Sequence, residues 1–282
     1  MASINFDEIT AFAERLADAA RGQTLPLFRT GATIYNKAGA LFDPVTDADR
    51  AAERVIREMI EAVRPDDGIV GEEFGVARPE APSRWVIDPI DGTKAFLTGS
   101  PTWTTLIAYE DGATPVFGLI DQPFTDERWI GATAPAGAAE EATASGEGVL
   151  YRRGETALRA RASDCEELAK ARLSTTDPRR SIYFTPDEHD AFEEVAGATR
   201  VARFSFDAYA YGLLALGELD LVIEAGLKHH DFAAIVPVVR AAGGVVTNWR
   251  GAVPGADDRG RILAAATPAL HEQALTVLSK CP

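Results

Sequence analysis

The 282-residue chain carries 43 acidic against 28 basic residues, a formal charge of -15, and 46% of it is apolar; such a length supports one large or two closely packed domains with cores of their own. The negative balance argues against nucleic acid and anionic membrane surfaces as partners, and two distant cysteines, Cys165 and Cys281, argue against a disulfide framework or a thiolate metal centre. No apolar run approaches the roughly 18 residues of a membrane span, and the acid-bearing N-terminal segment lacks the pattern of a secretion signal, so the expected setting is the cytoplasm.

In chain order, Ile4, Phe6, Ile9, Phe12, Ala13 and Leu16 recur at helical spacing, with Gly22 as a stop. A second helix is expected after Asp47, which is read as its cap, with Ala51, Val55, Ile56, Met59 and Ile60 as its apolar stripe. Residues 68–75 read as a short strand delivering Glu72 and Glu73 to a loop, and 84–87 as a buried strand running into Asp88. Strands over 104–109, 116–122 and 128–132 form a meander, because their connections are short. The Ala, Gly, Glu and Ser of 133–148 break the pattern, and a loop or domain junction is placed there. Beyond it, 173–176 and 219–224 read as strands, 207–216 as a helix, and 231–242 as a long helix closed by Gly243 and Gly244.

The run from Trp85 to Phe96, Trp-Val-Ile-Asp-Pro-Ile-Asp-Gly-Thr-Lys-Ala-Phe, carries the most chemistry. Asp88 and Asp91 directly follow an apolar strand, where two carboxylates are costly unless an opposite charge compensates them. A hard divalent cation does so, and Pro89 fixes the backbone so that both carboxylates and the Ile90 carbonyl can converge on it. The N–H groups of Gly92 and Thr93, at the start of an expected helix, form a cradle for a phosphate. Read alone, Asp-Pro-x-Asp-Gly is equally a turn, and Asp231 is more simply a helix cap.

Together with Gly71-Glu72-Glu73 upstream and the run from Asp231 to Gly244 downstream, this stretch resembles the signature set of the inositol monophosphatase superfamily of metal-dependent phosphatases, in that family's order and spacing. The resemblance implies an α+β fold, a layered αβαβα sandwich, assembled as a homodimer. It implies that Glu72, Asp88, Asp91, Asp231 and the Ile90 carbonyl hold two or three Mg²⁺ ions, and that Asp49 and Thr93 take a proton from the attacking water. Two domains are expected, 1–145 with the metal motifs and 146–282 with the substrate residues and the last ligand.

Within the superfamily, residues 206–215 and 220–228 resemble the histidinol-phosphate phosphatase branch, as do 118–123, 128–131 and 234–249. That resemblance implies Mg²⁺-dependent hydrolysis of a small phosphate monoester, histidinol phosphate, with Asp207 and Glu224 pairing the ammonium and imidazole of the leaving group. The plainer readings are a helix cap for Asp207 and a solvated acid for Glu224. Inositol phosphate or another sugar or nucleotide phosphate is the alternative substrate, and a non-catalytic metal- or phosphate-binding regulator the alternative class. The regulator requires a lost ligand, whereas all four carboxylates, Thr93 and Asp49 are in place. The chain departs from the branch at Phe206, at His229-His230 and over 177–180, and His230 is read as a neutral residue that stands behind the metal ligands or serves in packing.

Overall fold

The computed structural model describes residues 4–36, 44–133, 148–180, 182–255 and 259–282. Helix α1 (Phe6–Thr24) starts at Asn5, whose side chain accepts from the Glu8 N–H, and buries Ile9, Phe12, Ala13 and Leu16. It runs through Gly22, the expected stop, since one interior glycine costs only about 1 kcal/mol, and ends two residues before Pro26. A short antiparallel pair, β1 (Ile34–Asn36) and β2 (Pro44–Thr46), leads into α2 (Asp47–Val63). Ile56 and Ile60 of the expected stripe are fully buried and form an i,i+4 ladder with Ala48 and Ala52, while Ala51, Val55 and Met59 are half-buried beside it.

Next come β3 (Gly68–Gly71), β4 (Gly75–Ala77), β5 (Ser83–Asp91), α3 (Thr93–Thr98), β6 (Thr104–Asp111), β7 (Thr114–Gln122), β8 (Glu127–Ala132), β9 (Val149–Arg153) and β10 (Thr156–Ala160). They make an eight-stranded sheet in the order β10-β9-β8-β7-β6-β5-β3-β4, antiparallel except where β3 meets β5. Most of the expected loop at 133–148, and the boundary at 145/146, lie outside the described residues. Strands β9 and β10 beyond it still belong to this sheet, so the change of sheet falls after Ala160.

The second sheet has the order β12-β11-β13-β15-β14. Its strands are β11 (Arg172–Thr175), β12 (Val201–Phe204), β13 (Leu221–Glu224), β14 (Val245–Thr247) and β15 (Ile262–Ala265). The helices between them are α4 (Pro186–Gly197), α5 (Tyr209–Ala215), α6 (His229–Phe232) and α7 (Ile235–Ala241), and α8 (Pro268–Leu278) follows. Apolar periodicity sorts these elements into five layers. Trp85 and Ile87 of β5 pack with α1 and α2, whereas Val86 faces the other way, onto α5 and α7. Those two helices also bury Val222, Val246 and Ile262 of the second sheet, whose far face is covered by Phe192 and Val195 of α4 and Leu270 and Ala274 of α8. The result is the layered αβαβα sandwich.

Two helices differ from expectation for local reasons. The helix expected over 231–242 is split into α6 and α7 at Ala233-Ala234. Pro237 lacks the N–H that would reach the Ala233 carbonyl, and its ring would collide there. The helix expected from residue 207 begins at Tyr209, because Asp207 holds a left-handed backbone, φ 48°, a conformation a helix cannot include.

Candidate active site

Strand β5 alternates its side chains, so Asp88 shares the face of Val86 and points into the space between the sheets. By strict alternation Asp91 would point the opposite way. The pairing with β6 slips instead, Asp88 standing opposite Leu106 and Asp91 opposite Thr104. The extra residue on β5 re-phases the strand and brings Asp91 to the face of Asp88. Pro89 suits this bulge because it has no N–H to leave unpaired, and its carbonyl accepts from the buried Thr105 hydroxyl at 2.8 Å. The Asp88 carboxylate accepts from the Ile90 N–H at 3.1 Å. Asp91 accepts from the Ala208 N–H at 2.6 Å, a tie to the segment carrying Asp207.

Glu72 stands in the turn between β3 and β4, anchored by its N–H to the Ile87 carbonyl at 3.2 Å. The turn is also held from α2. The fully buried Glu53 accepts from the N–H groups of Glu73 at 2.6 Å and Phe74 at 3.1 Å, and from Arg57 at 2.7 Å. A Cβ on Gly71 would collide with that carboxylate and with the Arg57 guanidinium, so any side chain there displaces the clamp. Asp231 arrives from the short α6, where it is the third helical residue and not the cap; its carboxylate accepts from the Lys228 N–H at 2.6 Å.

These placements bring two sets of metal-binding atoms together, each within 4.8 Å: Asp88, Asp91 and Asp231 in one, Glu72, Asp88 and His230 in the other. His230 therefore lies closer to the carboxylates than a packing residue needs. Its Nε2 is 3.3 Å from Asp231 and 4.0 Å from Glu72, and it is buried without a hydrogen bond. Burial raises the Asp88 and Asp91 carboxyls well above the ordinary range, and the facing carboxylates raise them further.

Asp49 sits in the first turn of α2, 1% exposed. One carboxylate oxygen accepts from the N–H and hydroxyl of Thr46, at 2.9 and 2.5 Å, and the other faces the Thr93 hydroxyl at 3.4 Å. Thr46 is thus the cap of α2 and Asp49 its reciprocal partner, while Asp47, expected to cap, is exposed at the first helical position. The Thr93 hydroxyl also lies 3.2 Å from the Ile90 carbonyl. Burial pushes the Asp49 carboxyl up to about 6.

Asp207 and Glu224 open onto the same cavity, of about 160 Å³. Asp207 is no helix cap. Its carboxylate packs against Gly92, where a Cβ would lie 2.9 Å away, and Gly92 itself holds φ 81°. Glu224 is no solvated acid: it is 2% exposed, and both its oxygens accept from Thr175 and Thr176, at 2.7 to 3.2 Å. Burial raises Glu224 to about 8 and Asp207 to about 6, against the opposing pull of the threonine donors on the first and Lys94 on the second.

The inositol monophosphatase family model matches residues 5–282. The chain belongs to the inositol monophosphatase family. It is 38% identical over 253 residues to a bifunctional phosphatase, IMPL2, of Arabidopsis thaliana, covering 89% of this chain and 67% of that one. To a histidinol-phosphatase of Mycobacterium tuberculosis it is 34% identical, over 84% of this chain and 85% of the other. Among solved structures, an inositol monophosphatase from Zymomonas mobilis superposes with a TM-score of 0.82 at 36% identity, covering 98% of this chain and all of that one.

This family is one of metal-dependent phosphatases, and the donor set of this member fits a metal. Its carboxylates are hard oxygen ligands, they crowd one another in a buried place, and a cation is what would let them all stay charged. The imidazole of His230 adds a softer atom at the edge of the set. Sequence reasoning passed over Lys94, Tyr183, Thr175 and Thr176, which line or support the same cavity. Their signal is absent from local pattern, since each meets the site only through tertiary contact. Glu53 left a readable trace: an acid four residues after Asp49, on the same face of an amphipathic helix.

Proposed function

We propose that the protein hydrolyses histidinol phosphate in a Mg²⁺-dependent reaction, as a soluble homodimeric enzyme of the cytoplasm. The observation that carries the reading is the pair of ligand sets sharing Asp88, with the Asp49–Thr93 pair 3.4 Å across at their edge and one cavity opening onto all of them. Glu72, Asp88, Asp91 and Asp231, with the Ile90 carbonyl, would hold two or three Mg²⁺ ions. When bound, such ions supply an acidified water and neutralise the phosphoryl charge during in-line displacement.

The chain's own residues do the rest. Asp49, held by Thr46 on one oxygen, keeps the other directed at Thr93, so the Thr93 hydroxyl can hand on a proton taken from the attacking water. The raised carboxyl of Asp49 suits that exchange near neutrality. The N–H groups of Gly92 and Thr93 orient phosphoryl oxygens. Asp207 and Glu224 supply the anionic side for an ammonium and an imidazole, and the relatives named histidinol-phosphatase support that choice of substrate. The relatives named for inositol phosphate support the second reading, inositol 1-phosphate.

Phosphate release with Mg²⁺ from histidinol phosphate, inositol 1-phosphate, fructose 1,6-bisphosphate and adenosine 3′,5′-bisphosphate tests the proposal. Preference for histidinol phosphate is expected. Preference for another member of the panel rejects the substrate, and release from none rejects the activity.

A further inference from the structure

The cavity has a second half that hydrolysis of the phosphate does not use. Tyr183 is the one aromatic side chain lining it among the described residues, and it comes from the connection between β11 and α4. Lys94, on the exposed first turn of α3, reaches across the mouth to it. The ammonium lies 2.8 Å from the Tyr183 hydroxyl and 4.9 Å from the ring centroid. The charge of Lys94 also acts on Asp207, and no hydrogen-bond donor among the described residues meets the Asp207 carboxylate. Burial raises the Tyr183 hydroxyl, Lys94 opposes that rise, and the charges of Asp207 and Glu224 add to it.

The chain's own ammonium thus rests at the hydroxyl edge of the aromatic ring, with its charge acting on an unpaired carboxylate. Aromatic faces attract cations through the ring quadrupole, weakly at exposed sites and more strongly once the cation is desolvated. An exposed, flexible lysine gains little there, whereas a leaving group carried into the cavity by its phosphate is desolvated and gains more. Neutral, hydroxyl-bearing leaving groups have no such advantage over Lys94.

Building on the phosphatase reading above, we propose that Tyr183 is a specificity-determining residue. Its ring and Asp207 form a subsite for a leaving group with an ammonium or a positively charged planar ring, and Lys94 is the resident cation which that group displaces.

The test is steady-state kinetics with Mg²⁺ on histidinol phosphate and inositol 1-phosphate, with binding of histidinol, the free amino alcohol, measured separately by calorimetry. Tyr183→Ala is expected to lower the ratio of kcat/KM values, cationic over neutral substrate, by about tenfold. The change should appear in KM rather than kcat, with histidinol binding weakened alike. Tyr183→Phe keeps the face and is expected to hold the ratio within about twofold of wild type, and Lys94→Met to raise it. Equal losses on both substrates, a fall confined to kcat, or a lowered ratio in Lys94→Met overturns the inference. Wild-type turnover of inositol 1-phosphate without measurable affinity for histidinol overturns it too, while leaving the phosphatase reading standing. Should wild type release phosphate from neither substrate, the phosphatase reading falls and histidinol binding still judges Tyr183.

Discussion

Glu53 touches none of the groups proposed to hold a metal, yet it holds the turn on which Glu72 stands. Its carboxylate is fully buried and accepts two backbone N–H groups of the 72–74 turn and the Arg57 guanidinium. Arg57 in turn donates to the Gly75 carbonyl, closing the far side of the turn. Glu53→Ala removes all three bonds and leaves two N–H groups and part of a guanidinium without partners. Breaking a buried charged pair by deleting one side costs about 3–5 kcal/mol. Glu53→Gln keeps the shape and one acceptor but sets an amide N–H₂ against a donor, for which the loss of a charge-assisted bond gives about 2–3 kcal/mol. The turn then samples positions in which Glu72 no longer faces Asp88. Supporting residues of this kind are worth about 10- to 100-fold in metal affinity. The assay is urea unfolding of the metal-free protein together with Mn²⁺ binding followed by electron paramagnetic resonance. Glu53→Gln is expected to lower both stability and affinity. A variant with wild-type Mn²⁺ affinity, whatever its stability, refutes the argument that the clamp positions Glu72.

Asp91→Asn is expected to abolish phosphate release while the metal-free protein melts at or above the wild-type temperature, since a neutral amide, which can still accept from Ala208, replaces a carboxyl whose ionised form is disfavoured by burial and by Asp207 and Asp231; calorimetric melting together with the release assay checks both halves. The pH dependence of stability follows from Glu224, raised from 4.5 to about 8, and Asp49, raised from 3.8 to about 6. The folded state binds these protons, and that of Asp207, more tightly than the unfolded chain, so the metal-free protein loses stability as pH climbs from about 4 to about 8, by at most about 5 kcal/mol for Glu224. Glu188, lowered to about 2, acts in the opposite sense but only below about 4.5, outside that window. Urea midpoints measured from pH 5 to 8.5 should fall, and should fall less in Glu224→Gln; a rising midpoint contradicts the assignment.

How much of this was legible in the sequence depended on whether a residue's role was set by its neighbours in the chain. Asp88, Pro89, Asp91, Gly92 and Thr93 declare themselves because a strand running into two acids, a proline and a glycine has few inexpensive conformations. Helix α4 carried a local signal in Thr185 and Glu188, whose capping box holds its first turn, and α8 carried another in Thr267-Pro268. The partnership of Asp231 with Asp88 and Asp91 is not written in either segment; only the resemblance of the whole pattern supplied it. Nor was the burial of Glu224 or the approach of Tyr183 to Lys94, because no periodicity encodes which strand ends face one another across a cavity.

The places where local expectation failed are the places where the site is built. Alternation along β5 breaks at Pro89, and that break turns Asp91 inward. Helical periodicity from residue 231 breaks at Pro237, and α6 is left as a single turn presenting Asp231. The left-handed Asp207 delays the start of α5 to Tyr209 and meets the left-handed Gly92. Each irregularity costs on the order of 1 kcal/mol or more, and the bulge at Pro89 is held by the Thr105 hydroxyl and by the tie from Asp91 to the Ala208 N–H. Crowded carboxylates within such a rigid frame cannot move apart to relieve their repulsion, so the metal-free protein can relieve it only by taking up protons. A cation and a proton therefore compete for the same oxygens, and metal binding must release protons into solution. Calorimetry of Mg²⁺ binding in buffers of different ionisation enthalpy should show that release below neutrality and its decline as pH rises; binding enthalpies independent of buffer would mean that the four carboxylates do not act as one charged unit.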